Sequence, residues 1–147
     1  MNDSIFDYEI LPTNYTIFRK DRISCSGGVL VAVVSSLSCY EVASPPYLEV
    51  ISVKIGHILL CTVYITPNID TSSLINLLSY LADLSTSSEH LVIVGDFNAP
   101  DIEWSSLTGT QSHSNLICDF VFHANLTQAV FEPTHTEGHI LDIVLAN

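Results

Sequence analysis

The sequence predicts a mixed α/β fold, a sheet with helices packed on its outside, and three observations carry that reading. Six segments are rich in β-branched and aromatic residues and are bounded by turn residues. Two further segments carry leucines or other apolar residues at helical spacing. One residue, Gly56, separates two of the strand segments, which predicts an antiparallel hairpin. A sandwich of strands alone would give the two helical stripes no layer to cover.

Taken along the chain, the strand segments are "YTIF" (15–18), "GVLVAVV" (28–34), "YLEVISVKI" (47–55), "HILLCTVYI" (57–65), "LVIVG" (91–95) and "HILDIVLA" (139–146). The second, fourth and fifth are almost continuously apolar, which predicts burial on both faces. In "TSSLINLLSYLADL", Leu74, Leu77, Leu78 and Leu81 share one helical face, and Thr71 or Ser72 is placed to cap the start. In "SNLICDFVFHANL", Leu116, Ile117, Phe120 and Val121 do the same, with Ser114 as the expected cap. No internal repeat, low-complexity tract or charged linker interrupts this order.

The chain has 147 residues, 48% of them hydrophobic, enough for one domain with a core. Sixteen acids face four bases, for a net charge of −12, and no Lys or Arg follows Lys54 whereas ten acids do. Binding to a polyanion rests largely on Lys and Arg contacts to phosphates, so the balance makes nucleic acid a weak partner. Cys25, Cys39, Cys61 and Cys118 are too dispersed for a CxxC metal or redox motif and read as reduced thiols. The acidic opening "MNDSIFDYEI" is no signal peptide, and no apolar run approaches the roughly 18 residues that a membrane span requires. The expectation is an intracellular domain, cytoplasmic or nuclear, with no membrane partner; no protein partner is indicated.

The segment "LVIVGDFNAP" ends an apolar strand by delivering Asp96 and Asn98 to the sheet rim. An aspartate there can take a proton from water or offer oxygen to a divalent cation. The asparagine, two positions on, points the same way if the strand continues, and its amide both donates and accepts. The alternative is a simple Asx turn at the strand exit. "TVYITPN" supplies Tyr64 and Asn68 at another strand end, and Asp142 sits in the otherwise apolar "ILDIVLAN". If buried, Asp142 requires a donor or a cation. A phenol, two amides and two carboxylates at strand ends make a candidate phosphate and metal site.

The ordered set "NYTIFRKDRISCSGGVLVAVV", "YITPN", "LVIVGDFNAPDIEW" and "EPTHTEGHILDIVLAN" resembles the endonuclease/exonuclease/phosphatase domain, in the version carried by non-LTR retrotransposons ahead of a reverse transcriptase. The resemblance extends over nearly the whole chain. It implies a DNase I-like, four-layer fold of two packed mixed sheets flanked by helices. It also implies hydrolysis of phosphodiesters dependent on Mg²⁺ or Mn²⁺, with DNA as substrate. On this resemblance Asp96 orients or deprotonates the attacking water, and Asn98 holds the phosphate and contributes to the metal with Asp96. Tyr64 and Asn68 line the phosphate pocket, and Asp142 orients a histidine.

The family pattern also includes a metal-binding glutamate in a Glu-Thr-Trp-like motif and a catalytic histidine in a Ser-Asp-His-like motif. The opening "MNDSIFDYEI" resembles the sequence that follows the former, and Asn147 is reached before the latter. Residues 1–147 are therefore expected to form a single domain incomplete at both ends, impaired in hydrolysis. The alternatives are a non-catalytic remnant of such an element and a phosphatase of the same superfamily. His135 stands where these elements show arginine, and Pro133 and Gly138 place His135 and His139 in an exposed loop rather than on a metal-binding helix. His57 and His90 read as turn or surface residues, and His113 and His123 have no acidic partner in sequence. Glu49 reads as a structural partner of Lys54 or Arg22.

Overall fold

The computed structural model describes residues 11–22 and 28–147; the opening stretch at 1–10 and Cys25 lie outside the described residues. Strands β1 (Tyr15–Asp21) and β2 (Gly28–Val34) form an antiparallel two-stranded sheet. A six-stranded sheet comprises β3 (Cys39–Val42), β4 (Val50–Ile55), β5 (Ile58–Tyr64), β6 (Leu91–Asp96), β7 (Thr127–Gln128) and β8 (Asp142–Ala146), in the order β3-β4-β5-β6-β8-β7. Among the described strands only the β5–β6 pair is parallel; the predicted hairpin joins β4 to β5 with Ile55 opposite Ile58. A parallel pair needs a crossover, and α1 (Thr71–Ser87) supplies it. The second helix, α2 (Ser112–His123), lies between β6 and β7 in the chain.

Strand alternation divides the side chains of the large sheet between two cores. Leu59, Cys61 and Val63 of β5, Leu91 and Ile93 of β6 and Ile143 and Leu145 of β8 cluster with the helices. The predicted stripe Leu74, Leu77, Leu78 and Leu81 is buried there, extended by Leu84. Each such leucine contributes about 1.5–3 kcal/mol of transfer free energy. On α2, Ile117, Phe120 and Val121 are buried as predicted, joined by Ser114 and Cys118, while Leu116 is only partly covered. The opposite face carries Ile51 and Val53 of β4, packed against Val29, Val31 and Val33 of β2. Two sheets packed face to face, with helices outside, is the architecture that the family resemblance implies.

Several local expectations are corrected. The strand buried on both faces is β4, with Val50 in the core beneath the helices and Ile51 and Val53 in the core beneath the small sheet; β2, β5 and β6 alternate buried and part-buried residues. The cap of α1 is Asp70, whose carboxylate accepts from the backbone N–H of Ser73 at 3.0 Å, in place of Thr71 or Ser72. Nor does Ser114 cap α2: that helix begins two residues earlier, after Gln111, and Ser114 is buried within it. The last strand begins at Asp142 rather than His139, since the preceding residues are engaged by a loop, with Thr134 Oγ1 accepting from Leu141 N at 2.9 Å. Among the described residues Cys39, Cys61 and Cys118 are free thiols, as expected, and no helix is long and apolar enough to cross a membrane.

Gly95 fixes how closely β6 approaches β5. Its φ is 150°, and a Cβ built there would lie 1.8 Å from the carbonyl oxygen of Val63. Gly95→Ala is therefore expected to force the two strands apart immediately before Asp96 and to cost about 3 kcal/mol. Thermal unfolding followed by circular dichroism should show a fall in Tm on the order of 10 °C. An unchanged Tm would show that the strands separate freely at this point.

Candidate active site at the strand ends

The parallel register pairs Tyr64 with Asp96, and the antiparallel register pairs Asp96 with Asp142. In-register neighbours project to one face of a sheet, so the three side chains form a row across β5, β6 and β8, on the face away from the helices. Tyr64 is packed against the core between the two sheets. Asp96 is part-buried, and Asp142 is exposed. That exposure corrects the expectation of a buried Asp142: the small sheet covers β4 and β5, and β8 stands two strands further across. Burial holds the Asp96 carboxyl above the usual carboxylate range; the N–H of Asn98 opposes this, and the charge of Asp142 reinforces it.

Asn98 does not continue the strand. It has φ of 46°, its backbone N–H donates to Asp96 Oδ1 at 3.0 Å, and its Nδ2 donates to the carbonyl of Ile65 at 2.8 Å. This is the Asx turn of the alternative reading: the backbone N–H of Asn98 holds Asp96 Oδ1, and the Asn98 side chain also bonds the Asp96 carboxylate. The Asn98 amide is directed to the exit of β5, with its own oxygen and second N–H outside that bond. Asn68 is exposed and shares a cavity of about 230 Å³ with Tyr64, Glu49 and Asp70. Tyr64, Asp96 and Asp142 form the row, Tyr64 and Asn68 share the cavity beside it, and Asn98 joins the row through its bond to Asp96.

Thr134 and Glu49 support this end of the molecule. Thr134 Oγ1 accepts from the backbone N–H of Asp142 at 3.0 Å, which seats the start of β8. His135 and His139 lie in a loop as expected, their rings stacked with centroids 6.4 Å apart, and the position of His135 weakly opposes the upward shift of Asp96. Glu49 pairs with Arg22, one of its two expected partners, through bonds of 2.9 and 2.7 Å. His57 and His90 are exposed, His113 bonds Thr71 Oγ1 at 3.0 Å, and His123 Nδ1 lies 2.7 Å from the carbonyl of Asp119.

Asp101 anchors the loop that follows Asn98. Its Oδ2 accepts from Thr110 N (2.8 Å), Thr110 Oγ1 (2.9 Å) and Gln111 N (2.9 Å), and its Oδ1 from Ser114 Oγ (2.5 Å). Burial pushes this carboxyl up, but the hydrogen bonds from Ser114, Gln111 and Thr110 outweigh it and hold the group well below the usual range. The Asp101 of "NAPDIEW" gives no sequence signal for a cap delivered to a helix eleven residues on.

The donor set fits a hard divalent cation in its minimal form. No group of three or more His, Cys, Asp and Glu is arranged to hold a metal among the described residues. Mg²⁺, however, is commonly held by one or two carboxylates together with water and substrate phosphate. Two adjacent carboxylates whose mutual repulsion raises the pKa of one are relieved by a cation between them.

Comparison with known proteins bears on the same region. Residues 58–147 match a family model described as endonuclease-reverse transcriptase, a span that includes Tyr64, Asn68, Asp96, Asn98 and Asp142. No curated protein matches the sequence. Among solved structures, the endonuclease domain of TRAS1, a telomere-specific non-LTR retrotransposon, has a TM-score of 0.67 at 15% identity, covering 90% of this chain and 64% of that one. The 3′ phosphatase NExo from Neisseria, bound to product DNA hairpin, has a TM-score of 0.66 at 14% identity, covering 100% of this chain and 72% of that one. The Haemophilus ducreyi cytolethal distending toxin has 0.58 at 20% identity, covering 90% and 53%. At these identities the likeness is one of fold, and the chain spans less than two thirds of the TRAS1 domain.

Replacing Asp101 with Asn removes the charge-assisted bonds at the start of α2 and should cost about 1–2 kcal/mol at neutral pH. Because the folded-state pKa is depressed, this contribution is complete above the unfolded value of about 4 and is lost as pH falls through the folded value. Urea unfolding of both proteins across acid pH should show the gap closing below about pH 4. A gap independent of pH would assign the loss to shape rather than charge.

Proposed function

The chain belongs to the endonuclease-reverse transcriptase family, and from that premise we propose that it hydrolyses phosphodiester bonds in DNA with the help of a divalent cation, Mg²⁺ or Mn²⁺. The observation that carries this reading is the register that sets Tyr64, Asp96 and Asp142 side by side on three adjacent strands. Asp96 orients the attacking water and takes its proton at the carboxylate. Asn98 and Asn68 bind the phosphate through amide N–H groups, and the Tyr64 hydroxyl donates to a non-bridging oxygen. Asp96 and Asn98 would hold the cation, with Asp142 adding negative charge beside them. When bound, the cation offsets charge on the phosphate and lowers the pKa of water.

Turnover is proposed to be slow, since the described residues present two carboxylates and no third acidic or imidazole ligand arranged for a metal. A second reading, removal of a terminal phosphate, is favoured by the charge of −12. A chain end engages fewer phosphates than a continuous duplex and so needs fewer cationic contacts.

Supercoiled plasmid and a 3′-phosphorylated oligonucleotide separate these readings. With Mg²⁺ the protein should nick the plasmid and in EDTA it should not, while Asp96→Asn should be slower by about 10²-fold or more. Phosphate release without nicking would establish the second reading in place of the first. A folded protein inactive on both substrates, or one indifferent to Asp96→Asn, would overturn hydrolysis at this row and leave a non-catalytic domain.

A further inference from the structure

The positive charge of this molecule is scarce, and its placement is informative. Of the four basic residues, Arg19 pairs with Asp21 at 2.8 Å, Lys20 donates to the carbonyl of Pro45 at 2.7 Å, and Lys54 donates to that of His57 at 2.9 Å. Lys54 lies opposite Leu59, towards the far end of β5 from Tyr64. Arg22 meets the row itself: its guanidinium carbon is 5.1 Å from the centre of the Tyr64 ring.

Three contacts close a triangle around this group. Glu49 accepts from Arg22 Nε at 2.9 Å and from Nη2 at 2.7 Å, so it grips one edge of the guanidinium. The main-chain carbonyl of Glu49 accepts from the N–H of Tyr64 at 3.1 Å, which fixes the acid to the strand end. The phenol ring then supports the guanidinium face. The hydrogen bonds to Glu49 take up the Nε–Nη2 edge, and a further side-chain hydrogen bond joins the guanidinium to Tyr64; the Nη1–Nη2 edge lies outside the bonds to Glu49 and is a planar fork suited to phosphate oxygens. Arg22 and Glu49 side chains are 26% and 27% exposed, so the group is ordered yet open to solvent.

We infer that Arg22 contacts a DNA phosphate beside Tyr64, and that Glu49 is the positioning residue that presents it. This rests on the function proposed above. A purely structural role, tying β1 to the large sheet, is the competing account, and the two differ in how binding responds to salt. Each phosphate contact contributes about −0.9 to the slope of log affinity against log salt.

The test uses the full chain carrying Asp96→Asn, so that cleavage is suppressed, and follows a labelled short DNA duplex by fluorescence anisotropy across salt concentrations in Mg²⁺. The paired replacement R22Q/E49Q leaves net charge unchanged, as does the control R19Q/D21N on the same strand. The first pair should lower affinity about tenfold and flatten the slope by about 0.9, and the control should change neither by more than about twofold. R22K, which retains the Glu49 partner and the charge, should keep the slope and lose about threefold in affinity with the planar fork. If the two pair replacements act alike, or if R22Q/E49Q keeps the full slope, the inference fails. If R22Q/E49Q does not fold, R22K decides: an affinity equal to that of Arg22 overturns the contact. Absence of DNA binding by the Asp96→Asn chain at any salt concentration would instead remove the function on which the inference stands.

Discussion

Backbone pairing of β6 with a parallel neighbour on one side and an antiparallel one on the other is the constraint on which the site depends. Because side chains alternate with a period of two, a slip of one residue would turn Asp96 into the helix-facing core and bring Gly95 or Phe97 to the row. The core prevents that slip: Leu91 and Ile93 are fully buried, and Ile93 lies opposite the equally buried Leu145. At the far end of the strand Asn147 Oδ1 accepts from Leu91 N at 2.8 Å, so both ends of β6 are tied. Apolar burial thus determines which polar side chains meet, although none of the buried residues touches the site chemistry.

Three aspartates illustrate how local donors decide what a carboxylate does. Asp70 is exposed and held below the usual range by Ser72 and Ser73 at the start of α1. Asp101 is part-buried, yet its four hydrogen bonds place it on the same side of the normal value. Asp96 combines burial with a backbone N–H from Asn98 and a like charge at Asp142, and moves the other way. The first two accept hydrogen bonds that stabilise helix starts, Asp70 at Oδ1 alone and Asp101 at both oxygens; the third is pushed towards taking a proton or a cation. The same side chain is structural where donors converge on it and chemically available where another acid faces it.

The parts legible in the sequence were those governed by periodicity. Leu74, Leu77, Leu78 and Leu81 report one helical face because burial requires the 3.6-residue spacing, and Gly56 reports the hairpin because so short a connection admits little else. Caps were misread because they depend on geometry: Asp70 precedes the helix by one residue and outcompetes Thr71 and Ser72, and Asp101 reaches α2 from the loop. Burial of β4 on both faces was hidden by its Ser52 and Lys54, since Ser52 is wholly buried and bonds Tyr80 at 2.9 Å and Cys61 at 3.2 Å. The short strands Cys39–Val42 and Thr127–Gln128 have no periodic run to announce them. The row at Tyr64, Asp96 and Asp142 was legible as chemistry through its resemblance, whereas its register belongs to long-range pairing.

Net charge and local charge then answer different questions. A total of −12 sets the long-range field and opposes approach of a polyanion. Beyond about 10 Å at ordinary ionic strength that field is screened, so contact energies are decided by groups within a few ångströms. Arg19, Lys20 and Arg22 all fall in or beside one strand, and the pairing of Arg22 with Glu49 places a cation against Tyr64 while the remaining basic side chains are engaged elsewhere. An acidic surface with an ordered guanidinium at the row penalises diffuse attachment of a polyanion and leaves room for a directional contact at the row alone. On the proposed function, selectivity for a particular backbone position over adsorption along a duplex would follow from that distribution, at the expense of affinity.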